Sequence, residues 1–169
     1  DPKGVKMKKI ALLGICGKMG KSMLSELVLE EDIFIAAGFD KINIGTDIGI
    51  LTGREISGIK VTDDYEEIKL ANPDLIIDFT GSEILFKNIL WAIESKIDII
   101  VGATGLKREE IDIIKEKTKK SKSKVFIVPN FSIGAVLMVM LSSTVAKYFE
   151  NCEIIEMHHD KKKDAPSGT

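Results

Sequence analysis

Apolar residues follow two rhythms along this chain. Short runs rich in Ile and Val, with little polar alternation, recur at Lys9 to Leu13, Ile33 to Phe39, Leu75 to Phe79, Ile97 to Val101 and Val125 to Val128. That is the pattern of strands covered on both faces. Between them the apolar positions take a helical period. Met19, Met23, Leu27 and Val28 are expected to line one inward face, and Leu85, Ile89 and Ala92 another, in a helix that Ser82 is placed to cap. A third helix follows Thr104, with Ile111 and Ile114 inward and a polar tail from Lys115 to Lys124. This alternation predicts an α/β protein, a doubly wound parallel sheet with helices on both faces. The fifth strand ends at Pro129-Asn130 and a new element begins at Ser132, which puts a domain boundary after Phe131.

The uncharged stretch from Val125 to Ala146 raises the question of a membrane span, which needs about 20 apolar residues. Pro129, Asn130 and Ser132 interrupt its start and Ser142, Ser143 and Thr144 its end, so a strand, a turn and a buried helix are expected instead. Asp1 to Lys6 lack a long apolar segment or a cleavage site and are expected to be a vector-derived remnant, not a signal peptide. No internal repeat or low-complexity linker interrupts the rest.

Composition narrows the chemistry. The 24 basic and 26 acidic residues give a net charge of -2, with no global pull toward nucleic acid or anionic membrane. The longest basic run, KEKTKKSKSK from Lys115 to Lys124, has no aromatic interleaving and suits the negative pole of a helix dipole. Cys16 and Cys152 are too few and too far apart for a disulfide framework or a metal site. Both thiols are expected to be inert in a reducing cytoplasm.

Directly after the first strand comes GICGKMG, with Gly14, Gly17 and Gly20 leading into a helix. Such a turn needs backbone angles that a side chain blocks, and it lets a pyrophosphate approach free amides at a helix start. Three glycines also serve ordinary tight turns, but context strengthens the signal. Asp40 ends the second strand about 20 residues on, where a carboxylate accepts from ribose hydroxyls. Lys41 beside it suits a 2′-phosphate, so NADH and NADPH both stay open. Cys16, and not glycine, stands second after Gly14, a departure from the commoner fingerprint.

The last segment, EIIEMHHDKKKDAPSGT, concentrates charge: His158 and His159 are the only histidines, and Lys161, Lys162 and Lys163 follow. Metal binding is not expected, since adjacent side chains of an extended segment diverge and no further Cys or His completes a shell. An anionic substrate is the natural partner, and histidine titrates where a proton donor is useful. Pro166 to Thr169 read as a helix start, with Ser167 a cap and free amides for a carboxylate.

Taken in order, G-x-x-G-x-MG, DFT, VGATG, NFSIG and HH-x-x-K-x-DAPSGT make the chain from Met7 to Thr169 similar to the dihydrodipicolinate reductase family. The terminal segment is highly specific and the glycine loop is not. The resemblance implies a Rossmann-like doubly wound parallel sheet over 7–131, then the start of an incomplete α+β substrate domain over 132–169. It implies NADPH- or NADH-dependent reduction of dihydrodipicolinate, formed from 4-hydroxytetrahydrodipicolinate, to tetrahydrodipicolinate in lysine and diaminopimelate biosynthesis. The partner is thus a small dicarboxylate, with no nucleic acid, membrane or metal, and the full-length parent is expected to be a cytoplasmic homotetramer.

The same resemblance assigns residues. His158 matches the general acid-base histidine and Lys162 the catalytic lysine; His159, Ser167, Gly168 and Thr169 match substrate-carboxylate ligands. Gly14, Ile15, Cys16, Gly17, Lys18 and Met19 fall on the pyrophosphate, Asp40 and Lys41 at the ribose, and Gly102, Ala103 and Thr104 beside the nicotinamide. Val128, Pro129, Asn130 and Phe131 fall on the other side of that site. Ala103 and Pro129 depart from the family's hydroxyl and small residues, and tuning is expected from them. Because the resemblance stops inside the substrate domain, the chain is expected to be a fragment with little turnover. Two competing readings are a nucleotide-binding module without catalysis and a different NAD(P)-dependent reductase of a small acid.

Overall fold

The computed structural model describes residues 7–128, 130–153 and 155. Its elements run β1 (Lys8–Leu13), α1 (Lys18–Leu27), β2 (Ile33–Phe39), α2 (Ile48–Leu51), β3 (Val61–Thr62), α3 (Tyr65–Leu70) and β4 (Leu75–Asp78). They continue with α4 (Ser82–Ser95), β5 (Asp98–Val101), α5 (Arg108–Lys119), β6 (Val125–Ile127), α6 (Ile133–Val145) and a 3₁₀ turn, Ala146–Tyr148. The chain divides into two compact units, Asp1–Ile127 and Val128–Thr169.

In the first unit all six strands are parallel, in the order β3-β2-β1-β4-β5-β6. This is the Rossmann-like α/β arrangement. Alternate side chains of β1 serve opposite faces. Ala11 and Leu13 join Ile76, Leu85, Ile89 and Ile99 in one core. Ile10 and Leu12 join Ile15, Leu24, Ile35 and Val61 in the other. Each such aliphatic side chain, fully buried, contributes about 1.5–3 kcal/mol. Register then aligns the strand ends: Leu13 pairs with Phe39 on one side and Asp78 on the other, and Asp78 with Val101. The turns beginning at Gly14, Asp40, Phe79 and Gly102 therefore leave the sheet along one edge.

Several local expectations are corrected. The N-cap of α4 is Gly81, with no side-chain cap, and Ser82 is already inside the helix. In α1, Gly20 and Leu24 are buried, whereas Met19 and Val28 are exposed. Met19 lies in the first turn, above the sheet edge, and Val28 is the C-cap, beyond the inward stripe. Leu85, Ile89, Ala92 and Ile114 are buried as expected. β4 stops at Asp78, β5 begins at Asp98 and β6 stops at Ile127. The helical part of the basic tail ends at Lys119; beyond it Ser121 Oγ donates to the Ile93 carbonyl, turning the chain toward β6.

Elements the pattern did not announce are short: α2, β3 and α3. Asp47 organises their connection, accepting from Gly49 N at 2.8 Å, Ser57 N at 2.9 Å and Gly58 N at 2.7 Å.

In the second unit, Ser132 caps α6 by accepting from Ala135 N, and Asn130 Oδ1 accepts from Ser132 N at 2.8 Å. The expectation of a buried helix fails here, since no residue of α6 is buried. Among the described residues of its unit α6 runs directly into the short 3₁₀ turn, and its apolar side chains from Ile133 to Leu141 stay uncovered. No helix among the described residues is long and apolar enough to cross a membrane.

Candidate functional site

The turn after β1 is shaped by backbone contact. Gly14 takes φ +74°, and a Cβ there would lie 2.7 Å from the Phe79 carbonyl and 2.9 Å from Thr80 N. A Cβ on Gly20 would stand 2.0 Å from Gly14 O. The first glycine thus lets the turn press on the end of β4, and the last lets α1 press on the turn. Gly14 N donates to Phe39 O at 2.8 Å and Gly17 N to Gly14 O at 3.1 Å, closing the loop.

Asp40 joins the end of β2 to this loop. Its Oδ2 accepts from Cys16 N at 2.9 Å, and its Oδ1 accepts from Lys41 N at 2.8 Å and Ile42 N at 3.3 Å. The carboxylate is held in place by three amides, and each oxygen keeps acceptor capacity on its open side. Cys16 Sγ donates to Ile42 O at 3.4 Å, and burial foremost pushes this thiol's pKa up. That favours the unreactive protonated form.

The first turn of α1 meets the requirement for an anionic ligand. Its N-cap is Gly17, no side chain caps it, and no acidic residue lies in its first turn. The amides and positive dipole end are thus available to phosphate oxygens. Beside them a cleft of about 250 Å³ is bounded by Asp40, Lys41 and Ile42 on the β2 side and by Thr80, Gly81 and Glu83 on the β4 side. Gly14 and Gly17 form its floor. It lies on the carboxyl side of the sheet, where the strand order reverses, which is the binding position of such folds. These residues fit a dinucleotide.

Behind the β4 wall runs a buried polar chain. Asp78, fully buried, accepts at Oδ1 from Thr80 N at 2.7 Å and Thr80 Oγ1 at 2.6 Å, and at Oδ2 from Asn88 Nδ2 at 2.7 Å. Asn88 Nδ2 also donates to Thr80 Oγ1 at 3.0 Å, and Tyr65 donates its hydroxyl to Asn88 Oδ1 at 2.5 Å. Burial raises the Asp78 pKa, against the opposing pull of the Thr80 and Asn88 donors. The pKa of Tyr65, whose ring packs at a tilt between Phe39 at 4.9 Å and Trp91 at 5.0 Å, is raised by burial first and by Asp78 second. This chain fixes the Phe79–Gly81 turn, and therefore one wall of the cleft.

The predicted residues distribute unevenly. Gly14, Ile15, Cys16, Gly17, Lys18, Met19, Asp40 and Lys41 come together around the β1–α1 loop and the end of β2. Gly102 N donates to Asp78 O at 2.8 Å, which holds the Gly102–Thr104 segment against the end of β4. Ala103 is partly buried against the core and Thr104 is exposed. Val128, Asn130 and Phe131 belong to the second unit. Pro129, His158, His159, Lys162, Ser167, Gly168 and Thr169 lie outside the described residues.

Sequence reasoning missed Thr80, Gly81 and Glu83 in the cleft and Tyr65 and Asn88 behind it. The available signals were a lone Asn on the apolar face Leu85, Ile89, Ala92 and the Asp at the end of an Ile-rich strand.

Comparison with known proteins agrees with this geometry. The family model for the N-terminus of dihydrodipicolinate reductase matches residues 8–131, and that for its C-terminus matches residues 134–169. The chain is 40% identical over 164 residues to the 4-hydroxy-tetrahydrodipicolinate reductase of Carboxydothermus hydrogenoformans, covering 96% of this chain and 62% of the relative. It is 35% identical over 162 residues to that of Moorella thermoacetica, covering 95% and 61%. A dipicolinate-bound dihydrodipicolinate reductase from Paenisporosarcina sp. TG-14 superposes with a TM-score of 0.77 at 32% identity, over 96% of this chain and 62% of that one. The chain thus spans about 62% of the length of the relatives it matches, and with both family models matched, it belongs to the dihydrodipicolinate reductase family.

Proposed function

We propose that this chain is the nucleotide-binding part, and the beginning of the substrate-binding part, of a 4-hydroxy-tetrahydrodipicolinate reductase. The observation that carries the nucleotide reading is the Asp40 carboxylate locked to the glycine loop beside the uncapped start of α1. Gly14 and Gly17 and the first-turn amides of α1 hold the pyrophosphate, and Asp40 receives the ribose hydroxyls. Gly102, Ala103 and Thr104 flank the nicotinamide, and Val128, Pro129, Asn130 and Phe131 close its other side. When bound, the reduced nicotinamide supplies a hydride to the dihydropyridine ring.

The protein's task is then to hold a dianion and deliver a proton. Within 7–131 as the nucleotide domain and 132–169 as the start of the substrate domain, the terminal segment supplies both. His159, Ser167, Gly168 and Thr169 bind a carboxylate, His158 donates the proton, and Lys162 assists it and neutralises charge. Dipicolinate bound to the solved relative supports a small dicarboxylate as the ligand class. The parent is a cytoplasmic enzyme of lysine and diaminopimelate biosynthesis and acts as a homotetramer.

Steady-state kinetics on the enzyme with its complete substrate domain, using freshly made substrate, tests this reading. His158→Gln and Lys162→Ala each lower kcat, by about 100-fold to 10,000-fold for the positioned acid, with nucleotide affinity unchanged. His159→Gln raises KM more than it lowers kcat. Near-parental kcat in His158→Gln would refute the assigned acid.

A further inference from the structure

The cleft has a second carboxylate that the nucleotide reading has not used. Glu83 stands in the first turn of α4 and lines the same cleft as Asp40. Its side chain folds back over the helix start: a Cβ on Gly81 would lie 2.2 Å from Glu83 Oε2 and 3.2 Å from its Cδ. Glycine at 81 therefore gives the carboxylate its seat on the cleft wall. No ion pair neutralises Glu83 among the described residues.

The charged residues lining the cleft are then Asp40 and Glu83 against Lys41. Two carboxylates outweigh one ammonium in the cleft where Asp40 marks the ribose. A ribose 2′-hydroxyl can donate to a carboxylate, whereas a 2′-phosphate brings a further negative charge into a cleft that two carboxylates already line. Lys41 alone left the choice of cofactor open; Glu83 tips it.

We infer that Glu83 is a specificity-determining residue, which together with Asp40 makes the cleft select NADH over NADPH. This rests on the nucleotide reading proposed above. A purely structural role at the start of α4 would act differently, because loss of a favourable dipole contact lowers stability and weakens both cofactors alike.

Calorimetric titration of the folded chain and of Glu83→Gln with NADH and with NADPH, at low and high salt, separates these. The parent is expected to bind NADH more tightly, and high salt to narrow the gap. Glu83→Gln, which keeps shape and removes charge, is expected to tighten NADPH on the order of 3- to 10-fold at low salt while NADH changes less than about 2-fold. A parent that prefers NADPH, or a variant with an unchanged NADH/NADPH ratio, overturns the inference and leaves the nucleotide reading standing. Failure of the folded chain to bind either cofactor overturns both.

Discussion

Truncation of Asn88 to alanine tests whether the buried chain behind the cleft supports the fold as its geometry implies. The change deletes the two bonds donated by Nδ2, to Asp78 Oδ2 and Thr80 Oγ1, and the one accepted from Tyr65. A hydrogen bond to a charged group contributes about 1.5–3 kcal/mol and a neutral one about 1 kcal/mol. Water entering the vacated space restores part, leaving a loss of about 3 kcal/mol, or roughly 10 °C in melting temperature. Urea unfolding followed by the single tryptophan reports on the same region, because the rings of Trp91 and Tyr65 meet at a tilt with centroids 5.0 Å apart. Tyr65→Phe removes the hydroxyl that Asn88→Ala orphans, so the double variant should lose less than the sum of the single losses.

The pH dependence of that loss adds a second constraint. The folded-state pKa of Asp78 lies above its ordinary value, chiefly through burial. The favourable contribution of its protonated form is therefore complete below the unfolded pKa and is lost as pH rises through the folded one. Removing Asn88 takes a donor from the carboxylate and raises that pKa further. Asn88→Ala should accordingly destabilise more near neutral pH than near pH ~4. A loss below about 0.5 kcal/mol, or one independent of pH, would refute this account of the chain.

Two further outcomes follow from the loop. Gly20→Ala places a Cβ 2.0 Å from Gly14 O, whereas Gly17→Ala meets the same atom at 3.3 Å with φ already at -70°. Thermal melts should show Gly20→Ala destabilised by about 1–3 kcal/mol despite alanine's better helix propensity, with Gly17→Ala much less affected. Asp40→Ala should weaken NADH more than NADPH, and Lys41→Ala the reverse, in parallel titrations; equal losses would contradict the division of labour.

The sheet was legible because strands buried on both faces leave short apolar runs with little polar alternation, as at Ile33–Phe39 and Leu75–Asp78. Gly14 and Gly20 were legible because close backbone approach demands glycine at those positions, and Asp40 because the end of the second strand brings it beside the loop. α2, β3 and α3 were not, since elements of two to six residues carry too little periodicity and hang on tertiary contacts such as those of Asp47. Glu83 looked like an ordinary acidic first-turn residue; only the register that aligns the ends of β1, β2 and β4 brings it into the cleft that Asp40 lines. Asn88 was hidden for a similar reason, as its partners come from β4 and α3, ten and 23 positions away. The exposure of α6 contradicted expectation because apolarity reports a need for burial and not its fulfilment.

The most direct measurement is calorimetric titration of NADH into the folded chain, repeated with Asp40→Ala. Saturable binding to a single class of sites, clearly weaker in the variant, is the predicted result. Absence of saturable heat from a sample shown to be folded, or binding indifferent to Asp40, would contradict the placement of a dinucleotide between the glycine loop and the end of β2.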